Sequence, residues 1–214
     1  KRPDLRQSDN SIEKQLERYV NAEFRDCIND FEPFAGQGFI INEEGPVKSD
    51  VTIGTKEVTL VVEHPIKAQR QDRNAEISQY VVTIPVNLDR IYDLATKITN
   101  LEIKHQYLEK HALNLIAAFS GVNKEKLPPM ADMQFKLGST TSWQKSEVRN
   151  RISGLLTSYV QLFQVDGTYN YERNLFETDL KQRLYDSTII PVANGSFRSL
   201  AADFNYLDFW PVYF

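Results

Sequence analysis

Val58-Thr59-Leu60-Val61-Val62-Glu63 and Tyr80-Val81-Val82-Thr83-Ile84 are the two segments on which the reading of the fold turns. The second runs through Pro85-Val86 into Asn87-Leu88-Asp89-Arg90-Ile91. Val58, Leu60 and Val62 alternate with Thr59, Val61 and Glu63, and Tyr80, Val82, Ile84 and Val86 alternate with Val81 and Thr83. A period of two puts each set on one face of a strand, and β-branched residues suit a pleated, half-buried surface. Gly54-Thr55 turns Val51–Ile53 back onto Val58–Val62 as a hairpin, and the polar run Lys67 to Asn74 reads as an exposed tip before the next strand. Pro85 has no amide donor, so the last strand ends there or lies at an edge.

Asn87 offers an N-cap and Asp89 sits in the first turn of the helix that follows. Ile91, Leu94, Ala95, Ile98, Leu101 and then Leu108, Ala112, Leu115, Ile116 and Phe119 recur at helical spacing. Unbroken, this helix would be about 48 Å long at roughly 1.5 Å per residue. Asn100 to Gln106 is its weakest part and the place for a break, and Gly121 is a stop signal. A sheet with one apolar face and helices with one apolar stripe cover each other. The expected fold is therefore α+β, an antiparallel β-meander packed with long amphipathic helices.

On the N-terminal side, Lys1 to Asn10 reads as a flexible lead-in. Asn10 and Glu13 have capping-box spacing, and Ile12, Leu16, Val20, Phe24, Cys27 and Phe31 form a stripe that Pro33, Gly36 and Gly38 end. Gly38 to Asn42 is a short strand, and Glu43-Glu44-Gly45-Pro46 a turn. On the C-terminal side, Leu127-Pro128-Pro129-Met130 is extended. Thr141 and Gln144 cap a helix with its stripe from Val148 to Phe163. Asn174 and Glu177 cap a shorter helix with Leu175, Phe176, Leu180 and Leu184 on its inner face. Thr188 to Ile190 is a strand, and Asn194-Gly195 a turn. Residues 1–214 are read as one α+β domain, with a subdivision near Gly121 as the alternative, because the second half alone offers little sheet for its helices.

Composition narrows the function classes. A net charge of −4 does not favour general nucleic-acid affinity. The single cysteine, Cys27, excludes an internal disulfide and a cysteine zinc cluster. Its place on the helix stripe predicts a buried, inert thiol, with a reactive or intermolecularly paired one as the alternative. No run reaches the ~18–20 apolar residues that span a bilayer. The chain contains no Gly-x-Ser-x-Gly, His-Glu-x-x-His or Walker loop, and Gly36-Gln37-Gly38 precedes a strand where a dinucleotide site needs a helix. His64, His105 and His111 do not share an element face, so no metal site, no cofactor and no catalytic residue is expected. Aromatic side chains crowd the C-terminus, and Phe209, Trp210 and Tyr213 are the candidate contact surface for a partner, against the plainer alternative of packing on their own core.

Several phrases occur together: Cys27-Ile28-Asn29-Asp30-Phe31, Gly36-Gln37-Gly38-Phe39, Thr83-Ile84-Pro85-Val86-Asn87-Leu88-Asp89-Arg90-Ile91-Tyr92, Leu127-Pro128-Pro129, Ser142-Trp143-Gln144-Lys145-Ser146-Glu147-Val148 and Phe209-Trp210-Pro211-Val212-Tyr213. In this combination the chain resembles a group of uncharacterised archaeal proteins from small-genome lineages, each with an N-terminal membrane anchor and a soluble domain. The resemblance spans nearly the whole chain and brings no site residues. It implies a transmembrane segment before Lys1 and a domain facing the outside.

The expected function is accordingly a non-enzymatic extracytoplasmic domain of a membrane-anchored protein, used for protein binding or cell-surface assembly. The alternatives are a hydrolase using converging carboxylates and a cytoplasmic scaffold domain. An exposed aromatic patch would favour the first, and a pocket holding two perturbed carboxylates the second.

Overall fold

The alternating segments become the centre of an antiparallel sheet. The structure, a computed structural model, describes residues 3–119, 144–192 and 197–207. Contacts divide the chain into two units, Lys1–Asp93 and Leu94–Phe214, each described by itself. The N-terminal unit runs through helix α1 (Ile12–Cys27), a 3-10 turn (Asn29–Phe31), a short helix α2 (Glu32–Ala35), and strands β1 (Ile40–Glu43), β2 (Lys48–Ile53), β3 (Val58–Arg70) and β4 (Arg73–Ile84). The α+β class read from the sequence is the one observed.

Strand β3 is the spine of this sheet. Along one edge it pairs with β4 throughout. Along the other it pairs with β2 over Val58–Glu63 and then with β1 over Ile66–Gln69. The hairpin predicted at Gly54-Thr55 is present, with Ile53 opposite Val58. The expected tip at Lys67–Asn74 shrinks to Gln71-Asp72, because both strands run on and Gln71 turns the chain at φ +53°. A bulge at His64-Pro65 marks the change of partner on β3. The β1–β2 turn folds against it, with Glu44 N–H donating to the Pro65 carbonyl at 2.8 Å. Gly45 lies so close that a Cβ there would stand 2.9 Å from Pro65 Cγ.

Helix α1 starts one residue later than the capping-box spacing suggests. Ser11 is its N-cap, accepting from Lys14 N–H at 3.3 Å, while the Asn10 carbonyl accepts from Gln15 Nε2. Glu13 is free of the capping role because its carboxylate reaches the sheet: Oε1 accepts from Ile53 N–H at 2.8 Å. The described part of the segment read as a flexible lead-in is tied down. Asp4 accepts from the amides of Gln7 and Ser8, Arg6 Nε donates to the Ile53 carbonyl, and Leu5 is buried with Val51, Ile53 and Val58. An apolar side chain and a charge-assisted bond to an otherwise open strand edge outweigh the entropy of those few residues.

Helix α3 (Leu88–His105) is capped by Asn87, whose Oδ1 accepts from Arg90 N–H at 3.2 Å. It breaks where expected. Gln106 takes φ +53°, and α4 (Tyr107–Phe119) restarts with the Glu102 carboxylate accepting from the amides of Tyr107 and Leu108, at 3.1 Å each. Burial pushes the Glu102 carboxyl above its usual range, and the neighbouring Glu109 carboxyl adds to the rise against those two amide bonds.

The C-terminal unit continues with α5 (Lys145–Tyr159), a 3-10 turn (Val160–Leu162), β5 (Gln164–Val165), α6 (Asp179–Asp186) and β6 (Ile189–Ile190). β5 and β6 form a short parallel pair. Leu94, Phe163, Val165, Ile190 and Phe197 make one core cluster, and Leu115, Ile152 and Leu155 a second. One expectation is corrected here. Leu175 and Phe176 are not on an inner helix face: the helix begins at Asp179 with Thr178 as its cap, and the two side chains are 82% and 44% exposed. The segment before it is held extended by side chains, Asn174 N–H donating to Tyr185 Oη and Phe176 N–H to Gln182 Oε1. The stop at Gly121, the Leu127–Met130 segment, the Thr141 cap, the Asn194-Gly195 turn and the candidate contact residues Phe209, Trp210 and Tyr213 all lie outside the described residues. Among the described residues no helix is long and apolar enough to cross a membrane.

Candidate functional site: an apolar groove on the N-terminal sheet

The stripe of α1 serves two purposes. Its first turns close on the sheet, with Ile12 and Leu16 packed against the Val51, Ile53 and Val58 cluster. Its last turns stand off from β3 and β4 and leave a groove of about 710 Å³ between helix and sheet. Tyr19, Val20, Phe24 and Cys27 form the helix wall. Leu60, Val62, Ala68, Ala75, Ile77 and Val82 form the floor. Cys27 is exposed at this groove, which corrects the expectation of a buried thiol. The residue is on the predicted stripe, but this part of the helix stands off from the sheet, and the groove lies between them.

The floor is continuous because of the bulge. Tyr80 and Val82 pair with Val62 and Leu60, whereas Ile77 and Ala75 pair with Ile66 and Ala68. Tyr80 and Ile77 have opposite parity in sequence, so simple alternation would send them to opposite faces. The unequal count of residues on the two strands at Glu63/Ile66 returns both to the groove side.

The far end of the groove is closed by aromatic rings. Asn29, Asp30 and Phe31 take φ values of +49°, +44° and +62°, a left-handed run with no glycine in it. Asn and Asp tolerate this region, whereas Phe31 bears a cost on the order of 1–2 kcal/mol. The reversal swings Phe31 over His64, ring on ring at 6.2 Å and 10°, and Phe24 meets the same imidazole edge-on at 5.5 Å. Phe34 and Phe39 extend the cluster, and the Arg70 guanidinium lies 5.1 Å over the Phe39 ring. Behind this wall His64 is 1% exposed. Its Nε2 is 3.2 Å from Glu43 Oε2, without the alignment of a hydrogen bond, and the same oxygen takes Arg25 Nη2 at 2.7 Å. So buried, the imidazole cannot touch a molecule in the groove. It backs the ring wall, while Arg25 supplies the hydrogen bond to Glu43 at the end of β1.

Residues with polar groups are few on the lining: Tyr19, Glu23, Cys27, Gln37 and Tyr80. No lysine or arginine is among the lining residues. Glu23 is the sole lining carboxylate, so the paired carboxylates of a hydrolase are not assembled here. Among the described residues no group of three or more His, Cys, Asp or Glu is placed to hold a metal ion.

A smaller cavity of about 380 Å³ lies in the C-terminal unit, bordered by His111, Leu115, Phe176, Leu184 and Tyr185. His111 is 3% exposed and lies edge-on to Phe163 at 5.0 Å. Neither ring nitrogen has a hydrogen-bond partner among the described residues, and burial lowers its pKa from the usual 6.5. The unfolded chain therefore binds a proton at a pH where the folded unit does not. Stability is level above about pH 6.5 and falls as the pH drops below it, until the lowered folded value is reached. Urea unfolding followed by circular dichroism at pH 7 and pH 5 checks this for the wild type and for His111→Phe. The midpoint is expected to drop between pH 7 and 5 in the wild type and to change less in His111→Phe. Parallel curves would remove His111 as the cause.

The groove was missed in sequence because its two makers are non-local, a helix leaving its sheet and a parity break across two strands. The available signal was the density of Phe24, Phe31, Phe34 and Phe39 around a chain reversal. Compared with known protein families, curated proteins and solved structures, the chain finds no match.

Proposed function

We propose that the N-terminal unit is a non-enzymatic binding module whose groove takes one extended apolar chain bearing a neutral or cationic head. The observation that carries this is the groove itself. Its size falls within the ~300–1,000 Å³ of small-molecule sites, and its lining is apolar with a few polar groups that can fix orientation. The carboxylate of Glu23, with no lysine or arginine on the lining, argues against an anionic head. Titration with the neutral fluorophore diphenylhexatriene tests it. Saturable binding of one probe per chain, displaced more strongly by dodecanol than by dodecanoate, is the expected result. Unsaturable uptake, or equal displacement by the two, overturns it.

On the resemblance alone, we extend this to a domain held outside the cytoplasm by an anchor preceding Lys1, in an archaeal cell. Reading the native gene upstream of Lys1 tests that extension. A run of about twenty apolar residues supports it, and a short polar leader removes it.

A further inference from the structure

The two long edges of the N-terminal sheet are finished in opposite ways. The outer edge of β2 is sealed by side chains. Ile53 N–H goes to Glu13, Val51 N–H to Glu17, the Ile53 carbonyl to Arg6, and Ser49 Oγ donates to the Glu17 carbonyl. Among the described residues the outer edge of β4 has no such cover. Among the described residues β4 pairs with β3 alone, and the one further backbone bond to it is a turn contact from Val86 N–H to the Ile84 carbonyl. Eleven of its 12 residues are exposed, Tyr80 being half-buried. Ile77, Val81, Val82 and Ile84 are 42%, 60%, 50% and 49% exposed. Strand edges left open to water are usually blunted by lysine, proline, brevity or a covering element. β4 is long, holds no lysine or proline, and among the described residues nothing covers its edge.

We propose that β4 pairs antiparallel with β4 of a second copy, about a two-fold axis between Ser78 and Gln79, joining two four-stranded sheets into one. The register follows from the bulge. Because parity breaks between Ile77 and Tyr80, Ala75, Ile77, Tyr80 and Val82 share the groove face, whereas Asn74, Glu76, Val81 and Thr83 share the other. Pairing about the Ser78/Gln79 axis sets Ile77 opposite the partner's Tyr80 and Ala75 opposite the partner's Val82. It sets Glu76 opposite the partner's Val81 and Asn74 opposite the partner's Thr83. Every pair matches face to face. Centring the axis on Ser78 or Gln79 would put Ala75 and Ile77 against residues of the other face, which strand pairing does not allow.

Charge agrees with this register. Arg73 and Glu76 are the charged residues of β4. The two Glu76 carboxylates stand about 17 Å apart at roughly 3.4 Å per residue, beyond the ~8 Å screening length. The two Arg73 residues are at opposite ends. The inference does not depend on what the groove binds, although it brings the groove faces of two copies side by side.

The full chain is expected to sediment at twice its 24.7 kDa mass at about 100 µM. Ser78→Lys with Gln79→Lys, both exposed positions, places four like charges at the axis and is expected to weaken the dimer at least about tenfold while leaving the circular dichroism unchanged. In a Cys27→Ser background, spin labels at Ser78 should report a short distance between copies, and labels at Arg73 a separation near 37 Å at about 3.4 Å per residue. A monomer at that concentration overturns the proposal. So does a dimer indifferent to the lysine pair, or label distances that do not lengthen from residue 78 to residue 73.

Discussion

Glu17→Ala should speed exchange of the Val51 amide by a factor between about 5 and 160, the equivalent of losing roughly 1–3 kcal/mol from the opening of β2. Glu17 sits 9% exposed on a helix, where a carboxylate is out of place unless it is bonded. It is bonded: Oε1 accepts from Val51 N–H at 3.3 Å, and Lys14 Nζ lies 2.8 Å from each carboxylate oxygen. Alanine removes the acceptor and leaves a buried donor with no partner. Lys14 is half exposed and recovers its solvation, so the effect belongs to the amide and not to the ion pair. Glu17→Gln keeps an acceptor in place and should lose far less. Exchange at Val51 within twofold of wild type in the alanine variant would show that the carboxylate is not sealing this edge.

Ala75→Trp should reduce diphenylhexatriene affinity by tenfold or more, about 1.4 kcal/mol or above. Ala75 lies on β4 opposite Ala68, and the two small side chains form part of the groove floor. An indole there occupies space in which an apolar chain would lie. Ala75 is exposed, so the larger side chain meets little packed protein, and a stability change within about 0.5 kcal/mol is expected. Thr83→Trp is the matched control, because Thr83 opposes Thr59 on the face away from the groove. If both variants bind as the wild type does, or if both lose binding alike, the probe is not in the groove.

Much of the N-terminal architecture could be read from local pattern. The alternation in Val58–Val62 and Tyr80–Ile84, the Gly54 turn and the stripe of Ile12 to Phe24 each reflect a period set by a few neighbouring residues. Those elements formed where expected. So did the break at Gln106, where a weak stretch lacked apolar spacing. What could not be read depends on residues far apart. That β1 pairs with the far half of β3 and not with β2 is decided by the His64-Pro65 bulge, which Gly45 alone is small enough to sit against. Ser11 displaced Asn10 as a cap because Glu13 was engaged by Ile53, 40 residues on. The groove face needed Ile77 and Tyr80 to agree despite their parity. The spacing of Leu175 suits an inner helix face, yet spacing alone cannot tell a buried leucine from one beside an amide that a glutamine holds extended.

The exposed Cys27 gives this chain its own reporter. It is the sole thiol in 214 residues and stands on the wall of the groove. A dye joined there by maleimide chemistry marks one known point without any engineered cysteine. Its emission then follows entry into the groove in the unaltered sequence, and an occupant that covers the wall protects the same sulfur from alkylation.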